Sequence, residues 1–480
     1  MFFDLRKTGL ILFLSVLVIF SGHTQEVPLS YEQAVKLLLD NNKELKISNK
    51  AYEIAKTEKG ISNSLWYPFI NASGNYVHMS NKIEVRQSLS TLLKPLEDIG
   101  DEFLPDLPVV NDVLNRIGAN TLSFPLFPNN LTTIDAEVIW PVFTGGKRLF
   151  ANSISRNIVS ISLAREREVN SSVRLKLVDT YFALRLGYNI IRVRKDNYEA
   201  FCLQLSDAEK MEKEGIINKA ARLVVQVGMA EAKREYEESC KDYEVAQAAF
   251  RSVVNMIDTT SVFATTPLFI NTAIENRDYF ISMMKQNSNL IELIELQRDI
   301  ASLNEKVAKS EYVPEIAFFG RQNIYSNGIS RFLFPRNMIG VGFTWNIFDG
   351  LSREKRIKQS KLSGISLELE KEKLISDLEV GVDKAYTSTQ IALDNINALK
   401  TTMALSKELL RIREREFKEG MATSTDLVNA RTALNNVKLA YLFAYYQYDS
   451  ALITLLSLSG LSAEFELYKS KGITENIIFD

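Results

Sequence analysis

The chain is poor in the residues that most catalytic and metal-binding sites use. It contains two histidines, His23 and His78, and two cysteines among 480 residues. No Ser-His-Asp or Cys-His constellation can be assembled from this set, and no cluster has the ligand spacing of a zinc site. The Gly145–Gly146 pair follows a strand but lacks the GK[ST] that completes a phosphate-binding loop. We therefore expect no catalytic, cofactor-binding or metal-binding residues, and an enzyme is the least favoured class.

The cysteines and the charges argue against two further kinds of site. Cys202 and Cys240 flank the turn near Gly215 at unequal distances, so on an antiparallel hairpin they would not face each other. We predict two free thiols rather than a disulfide or a metal pair. The formal net charge is −2 and no long block of one sign stands out, so no nucleic-acid partner is expected.

Long apolar runs are scarce beyond the N-terminus. Residues 1–24 combine basic residues with the stretch GLILFLSVLVIF, which is typical of a secretory signal peptide and too short for a stable membrane span. The best later candidate, KLAYLFAYYQYDSALITLLSLSG, is interrupted by Gln447 and Asp449. We therefore predict an exported protein whose later helices do not cross a membrane.

The chain does contain an internal duplication. The segment that begins WPVFTGGKR at Trp140 returns 205 positions later as WNIFDGLSR at Trp345. Both copies close on a Glu-Gly pair, at Gly215 and Gly420. No gap is needed over that length, so helix length itself is held fixed. Such a constraint favours a protein that spans a distance.

Each half of the chain is predicted to run helix, strand, connection, strand, long helix, turn and return helix. Pro68 matches Pro314 at an offset of 246, which places an insertion in the first strand–strand connection. The first structural repeat is predicted over 25–256 and the second over 279–459. The predicted elements are strands near 66–79 and 132–143, a long helix 147–214 and a return helix 216–256, then strands near 315–325 and 338–348, a long helix 352–419 and a return helix 421–459.

Three segments interrupt this pattern. Residues 80–130 hold five of the eleven prolines, and their apolar and acidic pattern predicts one or two short amphipathic helices on a long loop. On an outer-membrane barrel such a loop is extracellular. It is either a lid or surface-contact element, or a tolerated insertion without a specific role. The linker 257–278 and the tail 460–480 also break the helical pattern, and we expect both to lie together beside the helices, in an equatorial position.

The strands show period-two alternation. Each is about ten residues long, the length that a tilted strand needs to cross a bilayer. Trp140 and Trp345 lie late on the apolar faces, which favours a membrane-interface belt over a small soluble sheet packed on a helix. A sheet with open edges is excluded from lipid, and four strands are too few to close a barrel. Several chains must therefore contribute strands to one barrel, and a trimer would contribute twelve. The apolar positions are Ile134, Ala136, Val138, Trp140 and Val142, then Ile339, Val341, Phe343, Trp345 and Ile347.

The helical segments have the dimensions of a coiled-coil assembly. The two long helices would each extend roughly 100 Å, at about 1.5 Å per residue. The second return helix carries apolar residues at steps of three and four, which predicts a heptad seam over four repeats. The alternative is an ordinary two-helix hairpin inside a bundle. The seam positions are Leu427, Ala430, Leu434, Val437, Tyr441, Ala444, Tyr448, Ala451 and Leu455.

Taken together, these motifs resemble the TolC-type outer-membrane efflux channel family. The junctions WPVFTGGKR and WNIFDGLSREKR are similar to the family's P-L-F-D-G-G motif. The tips EGIINKAARLVVQ and EGMATSTDLVNAR are similar to its glycine-turn motif, and LSYEQAVKLLLDNNKEL resembles its opening helix. The resemblance covers nearly all of the mature chain except 80–130.

The resemblance implies a mainly α-helical, internally duplicated fold with a membrane β-barrel. Three chains would form one twelve-stranded barrel, four strands per chain, in the outer membrane of a Gram-negative bacterium. The barrel would continue into a long periplasmic α-helical barrel of antiparallel coiled coils. The implied function is a passive conduit for small molecules or polypeptides in a tripartite efflux or type I secretion system. Its partners would be itself as a homotrimer, a periplasmic adaptor, an inner-membrane pump and outer-membrane lipid. The alternative is a surface-exposed structural or adhesive coiled-coil protein without transport activity.

The resemblance also assigns roles to single residues. Gly215 and Gly420 would form the periplasmic tip that contacts the adaptor. The acidic rings of the family's pore constriction fall on Asp426 and Asn429, so one acid is retained. The alternative role of Asp426 is to stabilise the start of the return helix, where a carboxylate is favourable. The family's Arg and Tyr gate positions are Ala422 and Phe417 here, so that gate lock is missing. The strand-to-helix turns would be formed by Gly145, Gly146, Asp349 and Gly350.

Overall fold

The computed structural model describes most of the chain as two compact units. The described residues are 27–81, 83–89, 91, 94, 113, 116–117, 119, 121–127, 129–256, 261–327 and 335–474. The predicted signal peptide and most of the 80–130 insertion lie outside them. We call the described residues within Met1–Ala51, Leu163–Glu292 and Glu372–Asp480 the helical unit. Those within Tyr52–Ser162 and Leu293–Lys371 form the sheet unit.

The first half of the chain contains two short helices, four strands of the sheet unit and a long helical hairpin. One long helix, α3, has 67 residues. In chain order the elements are β1 (Val27–Leu29), α1 (Tyr31–Asn41), α2 (Lys43–Ser64), β2 (Phe69–His78), β3 (Ile83–Ser88), β4 (Thr121–Phe127), β5 (Asn130–Phe143), α3 (Lys147–Lys213) and α4 (Lys219–Val254).

The second half repeats the order of two helices, two sheet strands, a long helix and a return helix, without a described counterpart of β3 and β4. Its long helix, α7, also has 67 residues. The elements are β6 (Val262–Ala264), β7 (Phe269–Ile270), α5 (Arg277–Asn287), α6 (Asn289–Ser310), β8 (Glu315–Ser326), β9 (Asn337–Thr344), α7 (Ser352–Lys418), α8 (Ser424–Leu458), a 3-10 turn Ser462–Glu464, α9 (Phe465–Ser470) and β10 (Ile473–Thr474).

The sheet unit contains a four-stranded antiparallel sheet in the order β2-β5-β8-β9. The two β-hairpin pairs of the repeats therefore meet through β5 and β8. The edge strands are β2 and β9. The ladder between β8 and β9 ends at the pair Glu315–Thr344. The strand predicted near 338–348 thus stops at Thr344, and the expectation that Trp345 and Ile347 lie within it is wrong.

The ends of the 80–130 insertion form a second, two-stranded ladder. Strand β3 pairs with β4 in antiparallel fashion, with a register shift between Ile83 and Glu84. Sequence analysis missed this ladder. The central part of the insertion, where short helices were expected, lies mostly outside the described residues.

The helical unit contains two small strand pairs. Strand β1 pairs with β6 in parallel, through Val27–Val262 to Leu29–Ala264. Strand β10 pairs with β7, joining Ile473 to Ile270. The linker and the tail are therefore paired with each other. The β1–β6 pair was not anticipated, because a three-residue strand leaves almost no periodic signal.

An aromatic core holds the helical unit together. Tyr31, the first residue of α1, packs against Tyr181 and Phe182 of α3, with ring centroids 5.6 and 5.8 Å apart. Phe465 of α9 lies 5.5 Å from the Tyr31 ring. The Tyr181 hydroxyl donates to the carbonyl of Leu29 at 2.7 Å, which satisfies its polar end inside the core.

The return helix α8 is buried along the predicted heptad seam. Seven of the nine seam positions are buried, and Val437 and Ala451 are half-buried. Further residues outside the seam, such as Leu442 and Leu456, are also buried. In its second half α8 therefore packs on more than one side, as expected of a helix inside a larger assembly rather than in an isolated hairpin.

Both repeats have a break in the helix that precedes the sheet. Helix α1 ends at Asn41 and α5 at Asn287, and the residues that follow, Asn42 and Ser288, have extended backbone angles. The Asn42 side chain donates to the carbonyl of Val253 and accepts from the Leu45 amide, so it ends one helix and begins the next. Sequence analysis predicted one uninterrupted helix in each repeat.

Candidate functional site

The sheet has one apolar and one polar face, and the apolar face is exposed. Ile339 is 91% exposed, and the rings of Trp140 and Phe318 lie side by side on this face, 6.4 Å apart. On the opposite face Asp135 accepts from Arg321 at 2.7 Å and from Asn323 at 2.9 Å. An exposed apolar face of this extent is characteristic of a surface covered by lipid or by another protein. Its exposed members include Ile70, Ile134, Val138, Trp140, Phe318, Ile339, Val341 and Phe343.

The two predicted interface tryptophans make the same hydrogen bond in both repeats. Trp140 Nε1 donates to the carbonyl of Trp66 at 3.1 Å. Trp345 Nε1 donates to the carbonyl of Tyr312 at 3.1 Å. Both indoles remain about half exposed. Each therefore ties the end of a sheet strand to the segment that enters the sheet while leaving most of its ring for an external contact.

A buried arginine lies beneath each of these aromatic segments. Arg148 Nη2 donates to the carbonyl of Val142 at 2.8 Å, and its guanidinium lies 4.5 Å from the Trp66 ring centroid. Arg353 Nη2 donates to the carbonyl of Asn346 at 2.7 Å and lies 4.4 Å from the Tyr312 ring centroid. Sequence analysis missed both roles, although the arginine closes WPVFTGGKR and WNIFDGLSR at the same position.

The strand-to-helix turns use left-handed backbone conformations at matched positions. Gly145 and Gly146 have φ of +60° and +89°, and Gly350 has +70°. The position matching Gly146 is Leu351, which has φ of +64° although it is not glycine. Asp349, also predicted in this turn, accepts from the Arg353 amide at 3.0 Å and so satisfies a free donor in the first turn of α7.

The hairpin turns after the long helices have the same geometry. Gly215 and Gly420 have φ of +74° and +73°. The amide of the next residue reaches back to the helix, from Ile216 to Met211 at 2.9 Å and from Met421 to Glu416 at 2.8 Å. This pattern is a Schellman motif, in which glycine adopts the left-handed angles at low cost. No atom lies within 4 Å of a Cβ built on either glycine.

Asp426 takes part in a capping box at the start of α8. Thr423 Oγ1 accepts from the Asp426 amide at 3.1 Å, and Asp426 Oδ2 accepts from the Thr423 amide at 3.1 Å. Hydrogen bonds from the Thr423 hydroxyl and amide lower the pKa of the Asp426 carboxyl. In the single chain Asp426 therefore has the helix-start role. Asn429 lies one turn further on and is exposed.

The matching helix start in the first repeat has a simpler cap. The Asn218 side chain accepts from the Ala221 amide at 2.9 Å. Ala221 stands where the second repeat has Asp426, so no reciprocal bond forms. Arg222, one residue later, instead binds Glu212 of α3 at 2.6 Å and so joins the two helices of its own hairpin.

The described residues contain no constellation that points to other chemistry. No group of three or more His, Cys, Asp or Glu side chains could hold a metal ion in the described part of the chain. Cys202 and Cys240 are both free thiols. Among the described helices, none is both long enough and apolar enough to cross a membrane.

Residues 280–461 match the family model described as "Outer membrane efflux protein". This segment coincides with the second repeat. No curated protein sequence matches the chain significantly.

Solved structures match over most of the chain. The CusC structure, described with transmembrane channel formation, has a TM-score of 0.71 at 14% identity and covers 90% of this chain and 92% of its own. The CmeC outer membrane channel of Campylobacter jejuni has 0.68 at 15%, with coverage of 92% and 89%. The MtrE outer membrane channel of Neisseria gonorrhoeae has 0.68 at 16%, with coverage of 90% and 89%.

At these identities the structural likeness shows the fold. The chain is mainly helical, with long helices and a four-stranded sheet, and it has the fold of outer-membrane channels over about nine-tenths of its length. The family model matches its second repeat independently. The resemblance to the TolC-type outer-membrane efflux channel family is therefore confirmed.

Proposed function

We propose that the protein is the outer-membrane channel subunit of a tripartite efflux or type I secretion system. It would act as a passive conduit, without catalytic chemistry, for small molecules or polypeptides moved by an inner-membrane pump. The observation that carries this proposal is the sheet, whose exposed apolar face and hydrogen-bonded polar face suit lipid on one side and water on the other.

The edges of that sheet support a homotrimer. In the single chain β2 and β9 each have a neighbour on one side only. In lipid such edges would leave backbone donors and acceptors without partners. If β9 of one chain pairs with β2 of the next, three chains close a twelve-stranded barrel. Helix α2 supports an assembly as well, because Ile47, Ile54 and Ile61 form an exposed stripe at seven-residue spacing.

The remaining site residues take their proposed roles within this trimer. Trp140 and Trp345 would lie at the membrane interface, at the end of the strands nearest the helices. The turns at Gly215 and Gly420 would form the periplasmic tip and contact the adaptor. Asp426 and Asn429 would line the constriction next to that tip. Residues 1–24 would direct export, and the protein would lie in the outer membrane and extend into the periplasm.

A surface-exposed structural or adhesive coiled coil is less well supported. Such a protein needs no sheet with an exposed apolar face. It also needs no tryptophan and arginine to stabilise the strand-to-helix junction of each repeat.

Reconstitution of the purified protein into planar bilayers tests the channel function. We expect stepwise ion conductance from detergent-solubilised trimers. Trimers that insert but never conduct would contradict a conduit and favour the structural alternative.

Replacement of Gly215 and Gly420 by Val tests the tip. Valine is strained at positive φ, so we expect lost adaptor cross-linking and lost efflux while trimers persist. Val at Gly60 and Gly364 is the matched control, because both glycines are helical, and a Cβ built on either meets no atom within 4 Å. Unchanged efflux in the tip variant would show that these turns are not part of the adaptor interface.

A further inference from the structure

One row of the polar sheet face is apolar. Phe69 of β2 is the partner of Ile139 of β5, and Ile139 is the partner of Phe319 of β8. The three side chains therefore lie side by side across three strands. Phe69 is 44% exposed and Phe319 is 36% exposed. We call these three residues the apolar belt.

The fourth strand supports this belt with glycine. Phe319 is the partner of Gly340 in β9. A Cβ built on Gly340 would lie 2.7 Å from Cζ of Phe319, and one on Gly342 would lie 3.7 Å from the same ring. The Phe319 ring thus lies flat across β9 and does not stand away from the sheet. A strand glycine covered by a neighbouring aromatic ring commonly marks a close approach of this kind.

The next row along the strands is charged. Asn71, Glu137 and Arg321 are partners across β2, β5 and β8. Arg321 donates to Asp135 at 2.7 Å. Asp135 thus takes the guanidinium, and Glu137 lies beside it in the strand register. Glu137 has no hydrogen bond or ion pair of its own within the described part of the chain. A carboxylate therefore lies one row from the two phenylalanine rings.

We propose that the apolar belt and Glu137 form a selectivity site for organic cations with an apolar body. This inference rests on the proposed function, in which the polar sheet face lines the channel. Glu137 would attract the cationic group, and the belt would contact the apolar body and offer aromatic faces to the charge. Three chains would present three such sites around the channel. Weak, repeated sites of this kind favour entry of a permeant without trapping it.

The test is block of single-channel current by tetraphenylphosphonium, with tetramethylammonium as the small reference cation that lacks a large apolar body. We expect tetraphenylphosphonium to block the wild-type trimer at concentrations at least about tenfold lower than tetramethylammonium. Phe319→Leu keeps an apolar side chain but removes the aromatic face, so the half-blocking concentration should rise about threefold. Glu137→Gln removes the charge and should raise it by about tenfold.

Phe318→Leu is the matched control, because Phe318 is the adjacent residue on the opposite face and contacts Trp140. Its half-blocking concentration should equal that of the wild type. If Phe319→Leu fails to assemble, Glu137→Gln and Gly340→Ala, which must displace the Phe319 ring, decide the question. Equal block in wild type, Glu137→Gln and the belt variant would overturn the site. An absence of conductance from wild-type trimers would instead contradict the proposed channel.

Discussion

The two strand-to-helix junctions share their hydrogen bonds and differ in their glycines. Trp140 and Trp345 make the same bond, and Arg148 and Arg353 lie 4.5 and 4.4 Å from the aromatic ring centroids that they contact. A Cβ built on Gly145, however, would lie 2.4 Å from Val313 Cγ2 and 2.6 Å from the Ser310 carbonyl oxygen, whereas Gly350 has open space. The left-handed turn is thus common to both junctions, and close packing is specific to the first.

The same contrast appears at the hairpin tips. Both turns use a glycine with nearly the same φ, but only the second helix start has a reciprocal capping box. The two repeats therefore share the backbone geometry of each turn and differ in the side chains that stabilise it.

The largest difference should come from the junction glycines. Gly145→Ala adds a left-handed Cβ and a collision with the Ser310 backbone, so we expect a loss of about 3 kcal/mol. Gly350→Ala adds only the conformational cost, about 1 kcal/mol. Unfolding midpoints of the detergent-solubilised proteins provide the measurement. Equal losses would show that packing at Val313 does not constrain the first junction.

Removal of either arginine should destabilise its junction to a similar extent. Arg148→Ala and Arg353→Ala each leave a backbone carbonyl without its charged donor, and we expect a loss of about 2 kcal/mol for each. Arg→Lys variants should recover part of it, since lysine cannot reproduce the planar fork. The readout is again the unfolding midpoint. A neutral Arg353→Ala would mean that the Trp345 bond alone fixes the second junction.

The capping box of α8 predicts a pH dependence at the second tip that the first tip lacks. The lowered pKa of Asp426 means that its stabilisation is present above the unfolded pKa and is lost as pH falls through the folded value. Asp426→Asn should thus be less stable than wild type at pH 7 but not at low pH. Ala221→Asp should form the same capping box in the first repeat and raise the free energy of unfolding by about 0.5 kcal/mol or less.

The same variant bears on the proposed constriction. If three Asp426 side chains converge near the channel axis, their mutual repulsion raises the carboxyl pKa in the trimer. Asp426→Asn would then stabilise the trimer at neutral pH and weaken its block by trivalent cations. Stability profiles of the wild type and Asp426→Asn between pH 3 and 7 therefore distinguish two roles of Asp426. The variant is less stable at pH 7 if Asp426 acts in the capping box, and more stable if three carboxylates form a ring at the constriction.

A small effect is expected at Leu351. A non-glycine residue at φ of +64° is strained, so Leu351→Gly should stabilise the second junction by about 1 kcal/mol or less. Gly146→Leu is the reciprocal change and should destabilise the first. A loss of stability in Leu351→Gly would show that the exposed leucine contributes an apolar contact that outweighs its strain.

Sequence reasoning reached the features that extend over many residues. The duplication, the period-two strands and the uninterrupted long helices each leave a repeated signal in the sequence. Gly215 and Gly420 were also identified, because a tight turn after a long helix requires backbone angles that glycine adopts easily. Sequence reasoning failed where a single contact determines the structure. The alternation continues through Trp345, yet the strand ends at Thr344, whose partner Glu315 follows Pro314, a residue without an amide to donate.

The missed parts of the site have the same origin. The buried positions of Arg148 and Arg353 depend on rings supplied by residues far away in the chain, so periodicity cannot find them. The identical arginine in both copies of the junction motif was an available signal. The belt of Phe69, Ile139 and Phe319 was equally hidden, since it exists only once the strand register is known.

The mass of the intact complex in mild detergent tests the central claim most directly. If the sheet edges β2 and β9 must be paired in lipid, the wild-type protein should be isolated as three chains, with no stable monomer that retains its strand content. Three copies with intact strand content are the result we predict. A monomer that keeps its full strand content in detergent would contradict the pooled barrel and, with it, the channel.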